Sequence, residues 1–217
     1  TTSSSNTAIG HEVLVNTTSG DNTAVGRGAM NSNTTGYSNV AVGVYALDAN
    51  TTGNTNVALG MHALGGNTTA SNNTAVGNDA LKANTDGTRN TAVGALALDA
   101  NISGDDNTAV GQGALGSMTG HKGTAVGRGA LNSNLQDNTT AVGYYALNAN
   151  TTGQNNTAVG YLALEDNTTG QYNTAVGYQA LKDVTTGERN TAVGRNALTT
   201  TSGSKNTALG MNCMEQN

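Results

Sequence analysis

The chain has no proline, no tryptophan and no phenylalanine, and a single cysteine among its 217 residues. Without Phe and Trp, and with hydrophobic residues at only 35%, the ordinary close-packed core of an enzyme of this length is excluded. A lone Cys213 excludes an intrachain disulfide. Charge is scarce too, at 11% of residues, and the net charge of −5 is dispersed rather than blocked. Nothing here attracts a nucleic acid backbone or an anionic membrane. No run approaches the roughly 18 apolar residues of a membrane-spanning helix, and residues 1–6 carry neither a basic leader nor an apolar stretch. A soluble chain without membrane insertion is expected. Disorder is opposed by the missing Pro, the low charge and the regular scatter of Val and Leu.

What is present is repetition. Thr (35), Asn (31), Gly (30) and Ala (30) make up 126 residues, and they recur in a unit reading Asn-Thr-Ala-Val-Gly-x-x-Ala-Leu-x-x-Asn-Thr-Thr-Gly-x-x. The period is 17 residues, marked by thirteen glycines from Gly10 and Gly26 to Gly194 and Gly210. Four steps are of 16 residues, and each deletion falls in the polar loop. The unit is too rich in Gly, Asn and Thr for a helix. Short β-compatible pieces bounded by turn signals read as strand, corner, strand, loop. The fold predicted is all-β, a parallel β-solenoid (β-roll) of about thirteen 17-residue coils in a single repeat domain over 1–217. At about 4.8 Å per coil it forms a rod on the order of 60 Å long. Missing Pro fits a central ladder, which cannot spare an amide donor.

Stacking turns each repeat position into a column. The Val column, from Ile9 and Val25 to Val193 and Leu209, never turns polar, and neither does the Leu column from Leu14 to Met214. Two buried faces are expected from them. The Thr column, replaced by Val40 and Val57, is expected to be at least half buried. So thin a core cannot hold a coil alone, and the small Ala column would let another backbone approach. An intertwined or side-by-side homotrimer is the compact way for such rods to share an apolar edge.

The residues carry a resemblance. Asn-Val-Ala-Val-Gly at 39–43, Asn-Val-Ala-Leu-Gly at 56–60 and Asn-Thr-Ala-Val-Gly elsewhere resemble the head repeats of trimeric autotransporter adhesins. Asn-Thr-Ala-Val-Gly-Tyr-Gln-Ala-Leu at 173–181 is similar to repeats of bacteriophage tail fibres. The resemblance covers nearly the whole chain and implies a trimeric parallel β-roll at an extracellular surface or on a virion. The unit is longer than the usual adhesin head repeat, and no neck, heptad stalk or anchoring barrel is recognisable, which favours the fibre reading.

Catalysis needs convergent, non-repeated polar side chains. His11, His62, His121 and Cys213 are spread along the chain, so no enzyme activity, metal or other cofactor is expected. Gly26-x-Gly28 and Gly127-x-Gly129 lack a following Lys-Ser/Thr and read as corners rather than phosphate loops. Asn33, Asn50, Asn67, Asn150 and Asn167 open glycosylation-like Asn-Thr-Thr sequences, explained better by Asn stacking and turn capping. Function is expected in the variable slots after the repeat glycine. There Tyr144, Tyr161 and Tyr178 share one slot in three successive coils, flanked by Tyr145, by Tyr172 in a loop column, and by Arg128 and Arg195 at the ends. This stripe reads either as edge shielding or as a contact for a host-surface glycan or protein receptor. The expected function is a non-enzymatic adhesin or tail-fibre segment serving as rigid spacer. Alternatives are a self-assembling filament or matrix protein, and an ice-binding solenoid, whose required flat Thr array is interrupted by Val40 and Val57.

Overall fold

The structure, a computed structural model, describes residues 5–200 and 203–214. Among them no helix occurs, so none is long and apolar enough to cross a membrane. The chain divides into two compact units, Thr1–Asn107 and Thr108–Asn217. The first holds β1 (Thr7–Ile9), β2 (Thr23–Val25), β3 (Val40–Val42), β4 (Val57–Leu59), β5 (Thr74–Val76) and β6 (Thr91–Val93). Each pairs in parallel with the next. The second holds β7 (Thr108–Val110), β8 (Thr124–Val126), β9 (Thr140–Val142), β10 (Thr157–Val159), β11 (Thr174–Val176), β12 (Thr191–Val193) and β13 (Thr207–Leu209), paired in the same way. Identical positions face each other, Ala41 opposite Ala58 and Val142 opposite Val159. Each unit is a parallel β-solenoid with one repeat per coil, as the period predicts.

The second strand expected in each repeat does not form. The Ala-Leu segment is a turn, because two residues flanking Ala take left-handed backbone: Tyr45 (φ 55°) and Leu47 (φ 51°) in one coil, Leu162 and Leu164 (both 53°) in another. A third left-handed corner lies two residues before each strand, as at Ser38 and Tyr172. Such corners are costly for residues with a Cβ. Bonds between coils offset that cost well beyond the strands, as in Tyr45 N to Arg27 O (2.9 Å), Leu47 N to Ala63 O (3.0 Å) and Thr51 N to Thr68 O (2.8 Å).

The Val column is not buried, which corrects the expected pair of Val and Leu faces. Strand alternation sends Thr and Val to one side and the Ala between them to the other. From Ala24 to Leu198 the interior is filled by both Ala columns and the Leu column, all fully buried, whereas Val42, Val110, Val142, Val159 and Val176 remain 37–38% exposed. The Ala columns therefore lie inside the coil and offer no approach to another chain. The Thr column is partly buried, as expected.

Two buried Asn columns complete the interior. Asn50 Nδ2 donates to Asn33 Oδ1 (2.8 Å) and to Gly53 O (3.0 Å). In the column before the strand, Asn56 N donates to Asn39 Oδ1 (2.9 Å), and Asn39 Nδ2 reaches the same Gly53 O (2.9 Å). Asn33, Asn50, Asn67, Asn150 and Asn167 are thus committed to the ladder and inaccessible to glycosylation in the folded protein, whereas Asn16 and Asn138, which also open Asn-Thr-Thr, are exposed.

Val184 breaks the first Asn column and leaves Asn167 Oδ1 buried without a partner. Val184→Asn places an amide donor against that oxygen and within reach of Gly187 O. It is expected to stabilise the chain by about 1 kcal/mol, read as a Tm increase of a few degrees in thermal unfolding.

Candidate functional site

The backbone of the variable slots is itself bonded from coil to coil, as in Tyr145 N to Arg128 O (3.0 Å) and Gln179 N to Tyr161 O (2.9 Å), and the tyrosine column stands entirely in the second unit. The rings of Tyr144 and Tyr161 stack at 5.4 Å between centroids, and those of Tyr161 and Tyr178 at 5.2 Å, each pair inclined by 9°. Exposure is 38%, 44% and 45% along the row. The separation follows from the parallel register, which repeats one slot at the strand spacing. Arg128 Cζ lies 5.8 Å from the Tyr144 centroid, and Arg195 Cζ lies 5.8 Å from that of Tyr178. Five successive coils thus present Arg, Tyr, Tyr, Tyr and Arg in one column.

Tyr145 packs edge-on against Tyr144 at 4.4 Å and sits half-buried over Gly129, where a Cβ would come within 2.5 Å of its Cε1. It braces the start of the column. Tyr172 pairs with Arg189 (5.4 Å) in the loop column and has no ring contact with the row. The first unit has a smaller stack in the next slot, Tyr45 on His62 at 5.5 Å with Arg27 above Tyr45 at 5.1 Å.

Groups with reactive chemistry do not converge. His11 is exposed beside Glu12 (3.7 Å), His62 is committed to its stack, and the His121 backbone N–H donates to Asp137 Oδ1 (2.8 Å). Cys213 holds the Ala slot of the last described coil, partly buried. Among the described residues no three His, Cys, Asp or Glu side chains gather where a metal ion could sit. Shifted titrations have local causes. Burial pushes the Asp48 and Asp99 carboxyls up, and a hydrogen bond to Asp183 raises Lys182, which also faces Glu165 and Asp166 at 3.6 and 3.5 Å. Arg89 is raised by its hydrogen bond to Asp106.

The sequence placed the tyrosine row and its terminal arginines correctly as neighbours. It missed the outward Thr-x-Val face, for which the period-two alternation of the strand was the available signal. No protein family, no curated protein and no solved structure matches the chain.

Proposed function

We propose that the chain is a non-enzymatic fibre segment of the adhesin-head or tail-fibre kind. Three copies pack side by side through the Thr-x-Val face, forming a rigid spacer at an extracellular surface or on a virion. The tyrosine column meets a host-surface glycan or receptor. The observation that carries this reading is the Val row. Parallel sheets are normally covered on both faces. Here the inner face meets Ala and Leu columns, while the outer face shows an unbroken aliphatic row from Val110 to Leu209 in straight register. A row of that length on a lone chain is a self-association surface, and three such rows close around an axis without leaving one uncovered.

Light scattering on the purified chain is expected to give three times the chain mass. Val142→Lys with Val159→Lys puts like charges into the shared core, so the trimer should be lost. A folded wild-type monomer would defeat the proposal. In the second unit the Thr row on the same face runs uninterrupted from Thr108 to Thr207, the array that an ice-binding surface needs. A monomer showing thermal hysteresis would favour that alternative, and long filaments in electron microscopy would favour a matrix protein.

A further inference from the structure

The tyrosine column offers its edges, not its faces. Each ring of the row is covered by its neighbours or by a guanidinium, so no face is free for a sugar or base to stack on. What projects to solvent is a line of ring edges, the electropositive part of the aromatic quadrupole, and of phenol hydroxyls. The hydroxyls of Tyr144, Tyr161 and Tyr178 and the guanidiniums of Arg128 and Arg195 make no hydrogen bond or ion pair with other described residues. Across these five coils neither variable slot contains a carboxylate. The location is notable in an acidic chain. The first unit has three basic and eight acidic residues, whereas the second has six of each.

Taking this column as the host-contact strip, the geometry points to a linear anionic polysaccharide as its ligand, lying along the stack with its carboxylate or sulfate groups toward the Tyr hydroxyls and the two arginines. Charge and donor count call for an anion rich in acceptors. Register selects the polymer. Side chains on one face of an extended peptide recur at about 7 Å, out of step with rings 5.2–5.4 Å apart. Single-stranded nucleic acid depends on stacking bases on free aromatic faces, and these are covered. A pyranose linked through opposite corners advances by close to one coil per sugar. From Arg128 to Arg195 the strip spans four coil steps, roughly 19 Å at strand spacing, room for several sugars.

Calorimetric titration of the whole chain tests this with four probes: oligogalacturonate, its methyl ester, cellulose sulfate and an oligo-dT. Binding to oligogalacturonate or cellulose sulfate is expected, weakening with salt, with the ester and the oligo-dT at least about tenfold weaker. Arg128→Gln with Arg195→Gln should reduce acid-polymer affinity about tenfold or more, and Tyr161→Phe should reduce it by removing one donor while keeping the stack. Circular dichroism spectra of these surface variants are expected to match the wild type, which checks that they fold. Binding to neither acid polymer, equal binding of the ester or oligo-dT, or indifference to the arginine pair would overturn the inference. A trimer that ignores acid polymers would overturn it alone, whereas a monomer that binds them would overturn the fibre reading and leave it standing.

Discussion

Gly60→Ala is expected to destabilise the chain by about 4 kcal/mol or more. Gly60 closes β4 with φ 137°, a region that side chains rarely enter, and an added Cβ would lie 2.5 Å from Gly77 O and 2.7 Å from Gly77 C. Those atoms are backbone and cannot swing away. Relief would require spreading two coils held by Gly77 N to Leu59 O and Val57 N to Asn73 O, both 2.8 Å. Met61→Ala, one residue on and exposed, is the control and should change stability by less than about 0.5 kcal/mol. Denaturant midpoints for both variants decide the matter. Similar midpoints would show that the coil spacing is softer than this contact implies.

The second large effect is expected from Asn67→Ala, about 3 kcal/mol. The Asn67 amide donates to Asn50 Oδ1 (2.9 Å) and Ala70 O (3.0 Å), and its oxygen accepts from Asn84 Nδ2 (3.0 Å). Truncation strips Asn50 Oδ1 of its donor in a fully buried setting and opens a void beside it. Ala70 O keeps its bond from Asn56 (2.9 Å), and Asn84 keeps Gly87 O (2.9 Å), which limits the loss. Thr68→Ala removes a single bond from a partly buried hydroxyl, to Thr85 O at 3.2 Å, and is expected to cost less than about 1 kcal/mol. Unfolding curves showing equal losses for the two variants would deny the ladder its role.

The fold was legible because a strict period places like residues at like positions, and stacking at fixed register is the simplest structure that honours it. Which positions face inward was less legible. Val looks like core by composition, yet alternation pairs it with Thr on the outside, and Ala24, Ala41 and their equivalents occupy the inside. The left-handed corners were hidden for a related reason. Leu carries no turn signature, and Leu47 or Leu164 adopts positive φ because burying its side chain and bonding its amide to the next coil outweigh the local strain. At the candidate site, one-dimensional spacing sufficed to align Tyr144, Tyr161 and Tyr178. It could not reveal that their faces are mutually covered, since ring orientation depends on neighbours above and below. Arg189, which takes Tyr172 as its partner, stands 17 residues on in the same loop column, so the period also gave the signal for that pair.

The direct register has a genetic corollary. Within either unit, a coil meets its neighbours through bonds that scarcely depend on which copy of the repeat supplies them. Unequal crossing-over between repeats in the coding DNA would add or delete whole coils without shifting any column. A solenoid built this way can change its number of coils, or duplicate its Arg and Tyr coils into a longer row, in a single heritable event that leaves the packing rules of the remaining coils intact.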